Sequence, residues 1–202
     1  MFTGIIQKVG DVVRYEKADA SSRLWVRSDF ENLQLGESIA INGVCLTLAE
    51  FNPQGEMLFF LSRETIERTS LGFLTSGSKA NLERAATLGT SLSGHWVQGH
   101  VDGLAKCVHV SEVGGSHLVE FDLPKELIRF CVEKGSIALD GVSLTSNSVS
   151  DDGRISLMLI PHTWNHTCFS GLKTDDCVNV EVDILSKYVA KHMERLCQSL
   201  KR

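Results

Sequence analysis

Several features whose presence would have decided the class of this chain are missing. No window approaches the roughly 18 consecutive apolar residues of a membrane-spanning helix. The start, M-F-T-G-I-I-Q-K, has no basic stretch ahead of an apolar run, so a cytoplasmic protein without membrane association is expected. Six cysteines (Cys45, Cys107, Cys131, Cys168, Cys177 and Cys197) form no C-x-x-C pair, and in a chain of 202 residues they are expected to be reduced thiols with no metal site among them. Basic charge is scarce: 20 Lys and Arg against 25 Asp and Glu leave a net charge of -5, scattered without a patch, which argues against nucleic acid. No G-x-G-x-x-G follows a strand, so a nicotinamide dinucleotide site is not expected. With only three prolines, and with 43% hydrophobic and 22% charged residues, the composition is neither disordered nor fibrous.

What the chain does contain is a repeat. Gly36 to Thr47 reads G-E-S-I-A-I-N-G-V-C-L-T, and Lys134 to Thr145 reads K-G-S-I-A-L-D-G-V-S-L-T, identical at seven of twelve positions with an offset of 140 minus 42, or 98. The same offset pairs Thr65 and Thr69 with Thr163 and Thr167, Asn81 with Asn179, and Glu83 with Glu181. At the front the register slips to 95, aligning Thr3-Gly4-Ile5-Ile6 with Gln98-Gly99-His100-Val101. The second copy therefore carries a small net insertion, which a loop absorbs cheaply.

Each copy reads as short strands between turns. Phe2 to Val13 suggests a first strand, Leu24 to Val26 a second, and Met57 to Leu61 another. Ser38 to Ala49 is either two strands about a tight Asn42-Gly43 turn or one longer bent strand. Glu64 to Leu71 has the pattern of a short helix, and Thr87 to Gly94 that of a flexible linker. Spacing of this kind predicts a small antiparallel sandwich or barrel in each half. Beyond the repeat, Ile184 to Leu200 places Leu185, Val189, His192 and Leu196 near one stripe, the mark of an amphipathic helix suited to oligomerisation.

Positions where the copies differ in polar character are the candidates for chemistry. Cys45 faces Ser143, Ile5 faces His100, Asn42 faces Asp140, and Glu64 faces His162. Cys45 is a candidate nucleophile or acid, or simply a small buried hydrophobe. His100 and His95 lie in G-H-W-V-Q-G-H, where one functional and one structural imidazole are expected. Ser143, Thr145 and Thr47 are able to bond a polar ligand or to satisfy a bend. Lys134 and Asp183 read as solvated charges unless the fold brings them together.

Six motifs in order, M-F-T-G-I-I, N-G-V-C-L-T, S-G-H-W-V-Q-G-H, D-G-V-S-L-T, L-I-P-H-T and E-V-D-I-L-S-K-Y-V, resemble the riboflavin synthase family from Met1 to about Val189. The resemblance implies an all-β protein: two tandem six-stranded Greek-key β-barrels over residues 1–94 and 95–183, plus a C-terminal α-helix over 184–202 that gathers three chains. The implied reaction is a dismutation without a cofactor. Two molecules of 6,7-dimethyl-8-ribityllumazine exchange a four-carbon unit, giving riboflavin and 5-amino-6-ribitylamino-uracil, the last step of riboflavin biosynthesis. Implied partners are this substrate, the other chains of a homotrimer, and lumazine synthase as a possible associate.

By the same resemblance the first-barrel pocket is lined by Gly4, Ile5 and Ile6, by Cys45, Leu46 and Thr47, by Phe60, Leu61, Ser62, Arg63, Glu64 and Thr65, and by Gly99, His100 and Val101. The second uses Lys134, then Ser143, Leu144 and Thr145, then Leu159, Ile160, Pro161, His162, Thr163 and Trp164. His100 is assigned to removing a proton from the C7 methyl, Cys45 to acid-base or nucleophilic help, Ser143 with Asp183 to the partner molecule, and Lys134 to orienting polar groups. Ser93, where the family often has glycine, and Thr174 to Cys177, which lacks one, depart from the pattern in loops only. A rival is a lumazine- or flavin-binding antenna protein, in which one chromophore is bound without turnover.

Overall fold

Alternation of apolar and polar residues writes the strands. In β2 (Ser21–Arg27), Ser22, Leu24 and Val26 point inward while Arg23 and Arg27 face out. The computed structural model describes residues 1–18 and 21–200. With β1 (Lys8–Glu16), β3 (Ser38–Ile41), β4 (Val44–Phe51), β5 (Glu56–Ser62) and β6 (Lys79–Arg84), β2 closes an antiparallel barrel in the order β1-β2-β5-β4-β3-β6. The second barrel repeats this circular order as β7 (Gly103–Val113), β8 (Ser116–Asp122), β11 (Arg154–Leu159), β10 (Val142–Val149), β9 (Ser136–Leu139) and β12 (Cys177–Val182). In each, the return of the fifth strand to the second makes a Greek key, and closure leaves no free sheet edge. The cores are separate: Leu24, Ile39, Phe59 and Leu82 lie in the first, Phe121, Leu139, Leu157 and Val180 in the second.

Asn42-Gly43 and Asp140-Gly141 are the two-residue turns of the β3–β4 and β9–β10 hairpins, with φ of 45° and 76° in the first and 43° and 79° in the second. Positive φ at both positions matches the twist of the flanking strands. The two turns meet back to back, so that a Cβ added to Gly43 would stand 2.6 Å from the Gly141 nitrogen. Around this meeting point the barrels clasp through reciprocal bonds. Asn81 Nδ2 donates to the Asp140 carbonyl (3.0 Å) and Asn179 Nδ2 to the Asn42 carbonyl (2.8 Å). Asn81 Oδ1 accepts from Cys168 N–H (2.7 Å), and Asn179 Oδ1 from Ser70 N–H (2.6 Å).

The three residues by which the second copy is longer fall between β8 and β9, where the four-residue helix α2 (Lys125–Ile128) sits. Two sequence expectations need correction. The first strand begins at Lys8, because Gly4 at φ 75° breaks the extended path, and Phe2 instead makes an isolated bridge to Val97 and is buried between the barrels. The short helix α1 (Arg63–Arg68) stops before Thr69, whose hydroxyl donates to the Thr65 carbonyl and accepts from Leu71 N–H, starting a separate 3₁₀ turn over Ser70–Phe73. Its counterpart in the second half is α3 (Pro161–Asn165). The last helix, α4 (Ile184–Leu200), has no buried residue: Leu185, Val189 and Leu196 are all more than half exposed. Among the described residues no helix is long and apolar enough to cross a membrane.

Candidate functional site

Cys45 and Thr47 on β4, and Ser143 and Thr145 on β10, point away from their barrel interiors, so the chemistry-bearing side chains lie on outer walls. Each wall is completed by chain from elsewhere. The segment 98–101, which leads into the second barrel, lies against the first: Cys45 N–H donates to the Gly99 carbonyl (2.9 Å), and Val101 packs on the first core. Residues 3–6, which lead into the first barrel, lie against the second: Ser143 N–H donates to the Gly4 carbonyl (2.7 Å), and Ile6 packs on the second core. Both glycines have positive φ, and a Cβ on either would strike the Cβ of Cys45 (2.5 Å) or Ser143 (2.6 Å). Gly4, Ile5 and Ile6 therefore sit beside Ser143 and not beside Cys45, which corrects their assignment to the first-barrel pocket. The offset of 95 aligned the two segments but could not tell which barrel each one crosses to.

The crossing segments are held by buried carboxylates. Glu83 Oε1 accepts from Thr3 N–H and Thr3 Oγ1, both at 2.7 Å, and Oε2 from Gly4 N–H at 3.0 Å. Glu181 Oε1 accepts from Gln98 N–H (2.6 Å), and Oε2 from Gly99 N–H (2.9 Å) and His100 N–H (3.0 Å). Burial raises both carboxyls above their ordinary range, and these donors pull them partly back. The identity of Glu83 and Glu181 in the repeat was visible in the sequence, but their purpose was not.

Ser143 is hydrogen-bonded to His95, Oγ to Nδ1 at 2.7 Å. His95 is buried, its Nε2 has no partner among the described residues, and burial holds its pKa below the usual 6.5 against an upward pull from Asp183. The imidazole is thus neutral near pH 7 and able to accept a proton from Ser143. Asp183, expected to act with Ser143, caps α4: its Oδ1 accepts from Leu185 N–H at 2.9 Å, the bond an N-cap aspartate makes. Its charge pulls upward on His95, the hydrogen-bond partner of Ser143.

The remaining candidates divide by strand alternation. Leu61 and Leu159 are core residues, 0% and 1% exposed, while Leu46 is buried in the first core, so a ligand on the outer wall meets only their backbone. Leu144 is half-buried against the second core. Phe60 and Ile160 point out and are 48% and 57% exposed. Ser62 caps α1 by accepting from Thr65 N–H, and Arg63 and Glu64 pair along that helix with Glu67 (2.7 Å) and Arg68 (3.2 Å). Pro161 starts α3, Thr163 accepts from the Thr167 hydroxyl through its carbonyl, His162 stacks on His166, and Trp164 lies flat on His117 with centroids 3.9 Å apart. Lys134 is exposed in a left-handed turn at φ 63°, where the first copy has Gly36.

Twin outer-wall sites on paired Greek-key barrels define a class, and comparison with known proteins agrees: the lumazine binding domain matches residues 3–85 and again 98–183. Solved structures of LumP share the fold. The complex with 6,7-dimethyl-8-(1'-D-ribityl) lumazine superposes with a TM-score of 0.81 at 25% identity, covering 90% of this chain and 99% of that one. The riboflavin complex gives 0.83 at 26% with the same coverage. The riboflavin synthase of Mycobacterium bovis is 40% identical over 96% of this chain and 98% of its own length, and that of Bacillus subtilis 38% identical over 96% and 91%. The chain belongs to the riboflavin synthase family.

Proposed function

We propose that this chain catalyses the dismutation of two 6,7-dimethyl-8-ribityllumazine molecules to riboflavin and 5-amino-6-ribitylamino-uracil, in the cytoplasm and without a cofactor. The observation that carries this reading is the pair of related but unlike outer walls, one with Cys45 beside Gly99 and His100, the other with Ser143 beside Gly4 and His95. A reaction between two copies of one molecule needs two such places with different acid-base groups. Holding the pair together replaces a bimolecular encounter with a unimolecular step, worth about 7 to 11 kcal/mol in favourable cases. His100 then removes a proton from the C7 methyl, Cys45 assists at the ring, and Ser143 with His95 moves a proton on the partner molecule. Lys134 orients polar groups, and exposed threonines and backbone meet the ribityl hydroxyls.

The walls are open on one chain, with Ile5, Phe60, Trp96 and Ile160 each between 44% and 57% exposed, and the apolar stripe of α4 is uncovered. Our reading covers both by a homotrimer in which the first barrel of one chain, residues 1–94, faces the second barrel, residues 95–183, of its neighbour. Residues 184–202 form the assembly element, and association with lumazine synthase belongs to the same reading. Incubation of the purified protein with the lumazine alone tests it. Riboflavin should appear at one molecule for every two lumazines consumed, and removal of residues 184–202 should abolish both assembly and turnover. Tight binding with the ligand unchanged would sink the enzyme reading and favour an antenna.

A further inference from the structure

The carboxylates of Glu83 and Glu181 are unusual for a small barrel protein. Each is 3% exposed, and each is satisfied by three N–H or O–H donors instead of by a cation in contact. Ionised groups are costly to remove from water, and only full hydrogen bonding makes the burial tolerable. Neither fills the barrel core. Every donor they engage belongs to a segment that crosses to the opposite barrel.

The chain of contacts then runs on without a gap. Glu181, rooted in β12 of the second barrel, fixes the N–H groups of Gln98, Gly99 and His100; the carbonyl of Gly99 receives Cys45 N–H on the first barrel. Glu83, rooted in β6 of the first barrel, fixes Thr3 and Gly4; the carbonyl of Gly4 receives Ser143 N–H on the second barrel. The glycines leave no slack, since a Cβ on either would collide with the residue it faces.

We propose that Glu181 is the positioning residue of the first-barrel pocket and Glu83 that of the second, each carboxylate reaching from one barrel to set the backbone of the site on the other. The assignment rests on the reading of function given above. Loss of either carboxylate loosens one pocket and spares the other, because the two contact chains share no residue.

The test is Glu181→Gln and Glu83→Gln in the full chain. Each exchange is isosteric but puts an amide NH₂ where an acceptor faced N–H donors. Circular dichroism checks the fold, single-turnover kinetics read the rate, and alkylation of Cys45, followed on its own peptide by mass spectrometry, reports occupancy of the first pocket. Both variants should lose about a hundredfold in rate, the scale of a small misplacement of reacting groups. Bound lumazine should protect Cys45 in wild type and in Glu83→Gln, and fail to protect it in Glu181→Gln. If Glu181→Gln does not fold, Glu181→Asp, which keeps the charge on a shorter arm, should show the same contrast. Wild-type protection of Cys45 in the Glu181 variants would overturn the proposal, as would equal loss of protection in both glutamine variants or the failure of both Glu181 variants to fold. A wild-type protein that binds lumazine without turnover would defeat the reading of function, while the contrast in Cys45 protection would still decide the positioning roles.

Discussion

The two barrels keep their joinery and change their reagents. Asn81 and Asn179 clasp reciprocally, Glu83 and Glu181 hold equivalent segments, and Asn42-Gly43 and Asp140-Gly141 make the same turn. Against that constancy, Cys45 stands where the second copy has Ser143, Gly36 where it has Lys134, and Ser22 where it has His117. Ile66 likewise gives way to Trp164, so the second half has an aromatic stack that the first lacks. Buried polar bonds keep their geometry even where the residue changes, as Asn42 and Asp140 both accept a backbone N–H through Oδ1, because an orphaned partner inside the joint costs about 1–3 kcal/mol. Outward side chains on the same strands carry no such constraint and can specialise.

The largest effects should come from separating the reagents. His100→Gln is expected to slow single turnover by about 10²–10⁴, the range for a lost general base. Ser143→Ala and His95→Gln should each cost about 10², and the double variant should be no slower than either single, as for two groups acting through one hydrogen bond. Additive losses would break the pairing of Ser143 with His95. Because burial keeps His95 below 6.5, the acid limb of the rate profile should lie below that value and should disappear in His95→Gln. The sign for stability follows: a depressed histidine stabilises the fold above its unfolded pKa, and that contribution is lost as pH falls through the folded value.

Asp140 offers the next contrast. Burial pushes its carboxyl up to about 7 from 3.8, eased by the Asn179 N–H and the nearby Ser70 hydroxyl. Since the folded value is the higher, its stabilising effect is complete below 3.8 and is lost as pH rises through about 7. Asp140→Asn, which gives the second turn the residue of the first, should remove that dependence. Above neutrality it should raise stability by on the order of 1.4 kcal/mol for every tenfold by which burial weakens the acid, as measured by denaturant unfolding across pH. The smallest effect is expected at Lys134. Replacing it with the glycine of the first copy relieves a left-handed side chain and should stabilise the fold by about 1 kcal/mol in thermal unfolding, while turnover falls.

The duplication, the paired barrels and the last helix were legible because they rest on identity at a fixed offset, on alternation and on a stripe of apolar residues. The Asn42-Gly43 turn was legible as one of two alternatives, since a two-residue hairpin and a bend share the same residues. Other features depend on what the chain does across the joint. Gly4 and Gly99 align in sequence, yet alignment is silent about the barrel each touches. Asp183 carries the residue type of a catalyst, but that it caps the helix starting immediately after it while its charge acts on His95 needs the fold. Leu61 and Leu159 lie within motif runs whose backbone reaches the surface while their side chains turn inward, a distinction that only strand register makes. His95 was visible, but its bond to Ser143 spans 48 residues and needs the fold.

Where Gly43 and Gly141 touch, neither turn has room to shift alone. Cys45 and Ser143 each lie only two residues further along, so a larger side chain at either glycine would press on the strand that carries the other's wall. The halves of this molecule are therefore pinned at a common rivet, and any lineage that enlarged either glycine would have to rebuild both turns at once.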